Sequence, residues 1–157
     1  MKKFALALAA VFVLAIACGG GGTPDQVVHR LFEGVQNGDG DVVLSCLSSE
    51  ALTGIDEFVD QLKAEPEETA AMAVMFGVEI TADEVADLDA AKVITILLSS
   101  EMLTAEMPDF SEVEIGEAVI DGETATVPVT LDGETDDIEL VLEDGSWKIG
   151  SEGMDFM

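Results

Sequence analysis

His29 is the only histidine among the 157 residues of the chain, and in "DQVVHRLFE" it lies four residues after Asp25 and four before Glu33. Side chains at i and i±4 are neighbours on a helix, so the trio has the make-up of a general base oriented by two carboxylates. The same stretch carries an apolar stripe of Val27, Val28, Leu31, Phe32 and Val35. At about 100° per residue, His29 points roughly 130° away from the centre of that stripe. The expectation is a solvated histidine beside two surface acids.

The remaining chemistry-bearing groups fare no better. Asn37, Asp39 and Asp41 match the first three ligand spacings of an EF-hand loop. Val42 then stands where the loop needs glycine, and Ser48 where it needs a bidentate glutamate, so the match fails. The acidic run from Asp132 to Asp137 reads as a solvated turn. One histidine cannot supply a histidine triad for zinc, and no Cys/His cluster is present. No Ser/His/Asp order, phosphate-cradling glycine loop or P-loop occurs. The sequence therefore predicts no catalytic residue, no metal site and no cofactor.

Cys46 shares one helix face with Val42, Val43 and Leu47. That spacing predicts a buried, inert thiol with no neighbouring base to lower its pKa. Cys18 is different. Lys2 and Lys3 precede 14 apolar residues (4–17), and "LAIACGGGG" follows. A membrane-crossing helix needs roughly 20 apolar residues; a positive start, a shorter core and small residues at its end make a secretory signal peptide. Cleavage is expected after Ala15-Ile16-Ala17. A cysteine directly after such a core resembles the bacterial lipoprotein signal, whose cysteine thiol receives a diacylglyceryl group. The usual leucine three places before it is Ala15 here, with Leu14 one place further out. The resemblance implies a signal peptide over 1–17, lipid attachment at Cys18 and a glycine tether over 18–22. An ordinary secreted protein with an incidental cysteine is the other reading.

Beyond the tether, residues 23–157 are sized for one domain. Without the signal segment, 33 acids face four bases, a net charge of −29. Nucleic acid is excluded as a partner, because such binding depends on bases neutralising phosphates. Anionic lipid surfaces are repelled as well, leaving membrane attachment to the acyl anchor. The excess charge reads as a solvation feature for a saline medium, with diffuse divalent-cation binding as the alternative.

The elements that would hold these groups fall into two halves. Thr23, Pro24 and Gln26 form a capping box with proline at the first helical position, and Asn37-Gly38 ends that helix. Short helices follow over roughly 39–48, 55–63 (presenting Ile55, Phe58, Val59 and Leu62) and 66–76, and Thr81 with Glu84 makes a second capping box for another short helix. A further one is capped by Asp89 and runs to about Ser100. That last helix is apolar around much of its circumference, which predicts burial on more than one side. Met72, Met75, Met102 and Met107 are expected to fill core gaps, an adaptable ligand groove being the alternative.

After Pro108 the period becomes two. Val113 and Ile115 start the pattern, Ala125, Val127, Val129 and Leu131 continue it, and Ile138, Leu140, Leu142, Trp147 and Ile149 complete it. Asp-Gly pairs at 121–122, 132–133 and 144–145 separate the runs, which predicts an antiparallel meander of four strands. Pro128 removes a ladder donor and predicts a bulge or an edge. Helices first and a twisted sheet second, with the opening helix in its concavity, make an α+β layout.

"VVHRLFEGVQNGDGDVVLSCLS" and "DGETATVPVTLDGETDDIELVLEDGSWKIG" resemble the first helices and last strands of the nuclear-transport-factor-2-like (cystatin-like) cone. The closer likeness is to its branch of bacterial lipoproteins of uncharacterised function, with residues 66–100 as an insertion. The resemblance implies a cell-envelope location outside the cytoplasm and a lipid-anchored domain that binds or assists without catalysis. Its partner would be a small apolar ligand or an envelope protein. A cone-fold enzyme of isomerase, cyclase or dehydratase type is the runner-up, and a purely structural envelope protein the third reading. Isomerase-like chemistry would want an isolated inward acid plus a tyrosine or protonated-acid donor. The chain has no tyrosine, and the inward strand positions read as Val, Ile, Leu, Ala and Trp.

Overall fold

A computed structural model describes residues 22–100, 104–105 and 110–151. The signal segment, Cys18, the tether up to residue 21, and Met102 and Met107 lie outside the described residues. Among the described residues six helices precede a curled antiparallel sheet, an α+β arrangement. Helix α1 spans Pro24–Asn37, α2 Gly40–Cys46, α3 Ser49–Ala64, α4 Pro66–Met75, α5 Ala82–Ala86 and α6 Ala90–Ser99. A 3-10 turn at Phe110–Glu112 leads into β1 (Glu114–Ile115), β2 (Val119–Asp121), β3 (Thr124–Leu131), β4 (Glu134–Glu143) and β5 (Ser146–Ile149). Among the described residues no helix is long and apolar enough to cross a membrane.

Local chemistry sets most of these bounds. The capping box of α1 forms, with Thr23 N–H donating to Gln26 Oε1 at 3.2 Å. Thr81 and Glu84 build the second box, at the start of α5. Asp39 caps α2 through Val42 N–H, and Asp89 caps α6 through Lys92 N–H. Two boundaries differ from the sequence reading. Helix α2 ends at Cys46 rather than 48, because Leu47 turns extended and bridges Ile149, while Ser48 N–H donates to the Ile149 carbonyl at 2.9 Å. Helix α3 then starts six residues earlier than residue 55, capped by Ser48 Oγ, which accepts Ala51 N–H. Gly54 sits inside this helix.

The sheet runs β1-β3-β4-β5, with β2 also pairing β3. The first of the four expected strand positions is therefore split in two. Ile115 pairs with Val129, yet Val119 pairs with Thr126, so Glu117 and Ala118 together oppose Val127. This is a one-residue β-bulge. The Pro128 carbonyl accepts Gly116 N–H, so the proline's ring nitrogen faces this same broken edge. The missing donor falls where the ladder is already interrupted. The β3–β4 and β4–β5 turns are the two-residue loops Asp132-Gly133 and Asp144-Gly145, all four residues having φ of +50° to +83°. That is the conformation for which Asp-Gly is favoured. The β2–β3 loop is instead Gly122-Glu123, with Asp121 kept as the last residue of its strand.

Helix α1 lies against β1, β3 and β5. Val28 and Leu31 are fully buried there with Val127, Leu140 and Ile149. Phe32 meets Phe110 with ring centroids 5.4 Å apart. A second, smaller cluster joins Val59, Val85, Leu88 and Val93 within the helical segment. Helix α6 serves both: Ile94 and Leu98 pack on the main core, Val93 and Ile96 on the small one. Its apolar circumference is thereby explained.

Candidate functional site

The His29 trio does not converge on a pocket. His29 and Glu33 are exposed and Asp25 is half-buried on the outer side of α1. Asn37 and Asp39 act within the helix junction: Asn37 donates to the Glu33 carbonyl at 2.7 Å and Asp39 caps α2. Among the described residues no group of three His, Cys, Asp or Glu side chains is placed to hold a metal ion. Cys46 is buried, and its thiol donates to the Val42 carbonyl. Burial pushes its pKa up. Arg30 and Lys148 oppose that shift but do not overcome it. The expectation of no neighbouring base is thus corrected, since Lys148 arrives from β5, remote in sequence.

The inward strand face needs a second correction. Ala125, Val127, Val129, Ile138, Leu140, Trp147 and Ile149 are buried there. The register, however, pairs Leu131 with Glu134 and Val129 with Asp136, and directly paired side chains share a face. Two acids therefore continue the inward phase of β4, both in solvent beyond the core.

One apolar cavity lies in the helical segment, apart from a larger, polar cleft of about 640 Å³ between the start of α3 and the β3–β4 face, where Glu50, Glu139 and Glu143 stand. Phe58 and Leu62 of α3, Met72 of α4, Val78 and Ile80 of the following loop, and Leu97 of α6 surround a groove of about 250 Å³, floored by Val85 and Val93. Thr69 supplies the one polar side chain of the lining, and its hydroxyl donates to the Leu62 carbonyl at 2.8 Å. Three cross-links hold the walls. Lys63 Nζ donates to the Leu88 carbonyl at 3.0 Å, tying α3 to the end of α5. Ser100 Oγ donates to the Phe76 carbonyl at 3.0 Å, tying α6 to the end of α4. Gly40 N–H donates to Thr95 Oγ1 at 3.1 Å, docking α6 on α2.

Apolar side chains remain in solvent around this groove. Phe58, Met72, Phe76 and Leu97 are 41–47% exposed, Val74 61% and Met75 75%. The expectation that Met72 and Met75 fill core gaps is corrected: Met72 lines an open groove and Met75 stands outside it. The sequence contained the alternative but no means of choosing it, because α3, α4 and α6 come together only through tertiary packing. Chemically the groove can desolvate an apolar group; it has no titratable side chain with which to transform one.

No protein-family model and no curated protein sequence matches this chain. Among solved structures it is similar to a Campylobacter jejuni protein described as a candidate NTF2-like transpeptidase. The identity is 13%, the TM-score 0.41, and the match covers 82% of this chain and 98% of that one.

Proposed function

We propose that this chain is a lipid-anchored protein of the bacterial cell envelope, held by Cys18 with its domain outside the cytoplasm, and that residues 23–157 form one nuclear-transport-factor-2-like accessory domain that binds without catalysis. The apolar, solvent-open groove between α3, α4 and α6 carries this reading. Exposed apolar patches of this kind mark interaction sites, and a lining free of titratable groups suits binding rather than turnover. The anchor half rests on the 1–17 segment and the cysteine that follows it.

The transpeptidase description of the Campylobacter protein does not enter this reading. Thiol-based acyl transfer needs an accessible thiolate, whereas Cys46 is buried with a raised pKa. A histidine acting as base must reach its nucleophile, and His29 is exposed on the outer side of α1.

Two measurements test the halves separately. Intact mass of the chain extracted from bacterial membranes should exceed that of bare residues 18–157 by a lipid modification that Cys18→Ala abolishes; a bare mass overturns the anchor. A neutral solvatochromic dye should bind the full chain saturably, and Met72→Asp should remove that binding with the melting temperature unchanged. Equal dye binding by the variant overturns the groove as the binding site.

A further inference from the structure

The groove's size and its charged surroundings restrict what it can receive. About 250 Å³ lies below the roughly 300–1,000 Å³ typical of sites that enclose a whole small-molecule ligand. It suits instead a few anchoring side chains offered by a larger partner, as when an amphipathic helix lays i, i+3, i+4 and i+7 residues into a groove. Flexible, polarisable methionine at the rim matches such use, since thioethers repack around different anchors.

The surrounding segment is acidic. Residues 49–100 contain twelve carboxylates and two lysines. Both lysines are engaged at the end of α5: Lys63 on the Leu88 carbonyl, Lys92 on the Asp87 carbonyl and Asp89. Glu57 adjoins Phe58, Glu79 lies between Val78 and Ile80, and Glu68 precedes Met72 by one helical turn, all three exposed. A side-chain hydrogen bond with Glu65, and after it the repulsion of the Glu65 charge, raises the Glu68 pKa. A cation placed there relieves the repulsion. An anionic amphiphile, an anionic lipid surface or a second copy of this same acidic face meets repulsion instead.

We infer that the α3–α4–α6 groove is the docking site for a basic amphipathic helix of a partner protein, its apolar face entering the groove and its lysines or arginines meeting exposed carboxylates of the same segment, among them Glu57, Glu65, Glu68 and Glu79. This deepens the proposed function and rests on its claim that the groove is a binding surface.

The test uses the full lipidated chain in nanodiscs of zwitterionic phosphatidylcholine, with empty discs as reference. The probes are fluorescent peptides of about 18 residues, five turns at 3.6 residues per turn. One is a Leu/Lys amphipathic helix, one its uncharged Leu/Gln counterpart and one a hydrophilic Ser/Lys peptide. The Leu/Lys peptide should bind saturably at one site and more tightly than the other two. Met72→Asp should weaken it at least about tenfold, the loss expected of a central apolar anchor. That variant adds a negative charge, so diffuse electrostatic attraction alone predicts the opposite change. The Glu65→Gln/Glu68→Gln double variant, which keeps every lining residue, should weaken Leu/Lys binding several-fold and leave Leu/Gln binding unchanged. Equal binding of Leu/Lys and Leu/Gln, both lost in Met72→Asp, overturns the basic partner and leaves the groove as a binding surface. Equal binding of Ser/Lys and Leu/Lys reduces the effect to diffuse charge and overturns the inference. Leu/Lys and Leu/Gln binding unaffected by Met72→Asp overturns both the inference and the reading beneath it.

Discussion

Gly116 donates its backbone N–H to the Pro128 carbonyl at 2.8 Å, and a Cβ added at Gly116 would stand 2.7 Å from Pro128 Cγ. The bulged edge of the sheet is thus closed on the residue that cannot donate to it. Gly116→Ala should destabilise the fold by about 1–3 kcal/mol, the range for forcing extra atoms into a packed place. Gly54→Ala should do the reverse. Nothing lies within 4 Å of its added Cβ, in the interior of α3, so alanine should stabilise by about 0.5–1 kcal/mol through helix propensity. Denaturant melts of both variants check the opposite signs; a neutral Gly116→Ala would mean that the edge opens freely.

Trp147 is directly paired with Leu142 and only 4% exposed. Trp147→Ala should cost roughly 3–5 kcal/mol, the usual loss for a large buried aromatic. Equilibrium denaturation is the measurement. A loss below about 1 kcal/mol, ordinary for a surface site, would contradict the buried packing.

What was legible in the sequence follows the range of the interactions involved. The caps of α1, α5 and α6 and the turns at Asp132-Gly133 and Asp144-Gly145 depend on residues within a few positions, and these form; at 121–122 the turn shifts by one residue to Gly122-Glu123. Pro128 pointed to a bulge or an edge, because an absent donor is itself local information. The α2–α3 boundary was misplaced because Ser48 gives its N–H to Ile149, about a hundred residues onward, before its hydroxyl caps α3. Gly54 is carried inside α3 because a glycine costs a helix only about 1 kcal/mol relative to alanine. Strand β4 outlasts its apolar phase, so Glu134 and Asp136 carry the inward alternation past the core. The groove was the least legible feature: whether Met72 plugs a core or lines an opening is decided by how far α4 stands from α3 and α6.

Glu143 supplies the pH prediction. Its carboxylate accepts Ser49 Oγ at 2.7 Å and Ser49 N–H at 3.0 Å, joining the end of β4 to the first turn of α3. Those bonds, Ser49 Oγ foremost, hold its pKa below the ordinary glutamate value, and the positive end of the helix dipole acts in the same sense. A depressed folded-state pKa adds stability that is present above the unfolded value of about 4.3 and is lost as pH falls through the folded value. Glu143→Gln should therefore be less stable than wild type near pH 7 and lose less on acidification from about pH 5 to pH 3. Thermal melts across that range check it; parallel curves for the two proteins would remove Glu143 from the acid limb.

The last prediction concerns the charge itself. With the signal segment removed, 33 acids face four bases, and among the described residues Lys92 and Asp89, 3.4 Å apart, form the one ion pair. The carboxylates are mainly solvated, and they crowd one another more in the folded chain than in the expanded one. Added sodium chloride should stabilise the fold by screening, most steeply below about 0.1–0.2 M, where the Debye length is still about 8–10 Å. Calcium should then add only what ionic strength and diffuse condensation explain. A discrete site, for instance in the Asp132–Asp137 turn, behaves differently: micromolar calcium raises the melting temperature saturably by binding the folded state alone. Melts in 0.5 M sodium chloride, with calcium and then with chelator, separate the two cases. Progressive salt stabilisation with no chelator-reversible step is the expected outcome; a saturable, chelator-reversible rise would place a cation site on this chain and end the solvation account of its acidity.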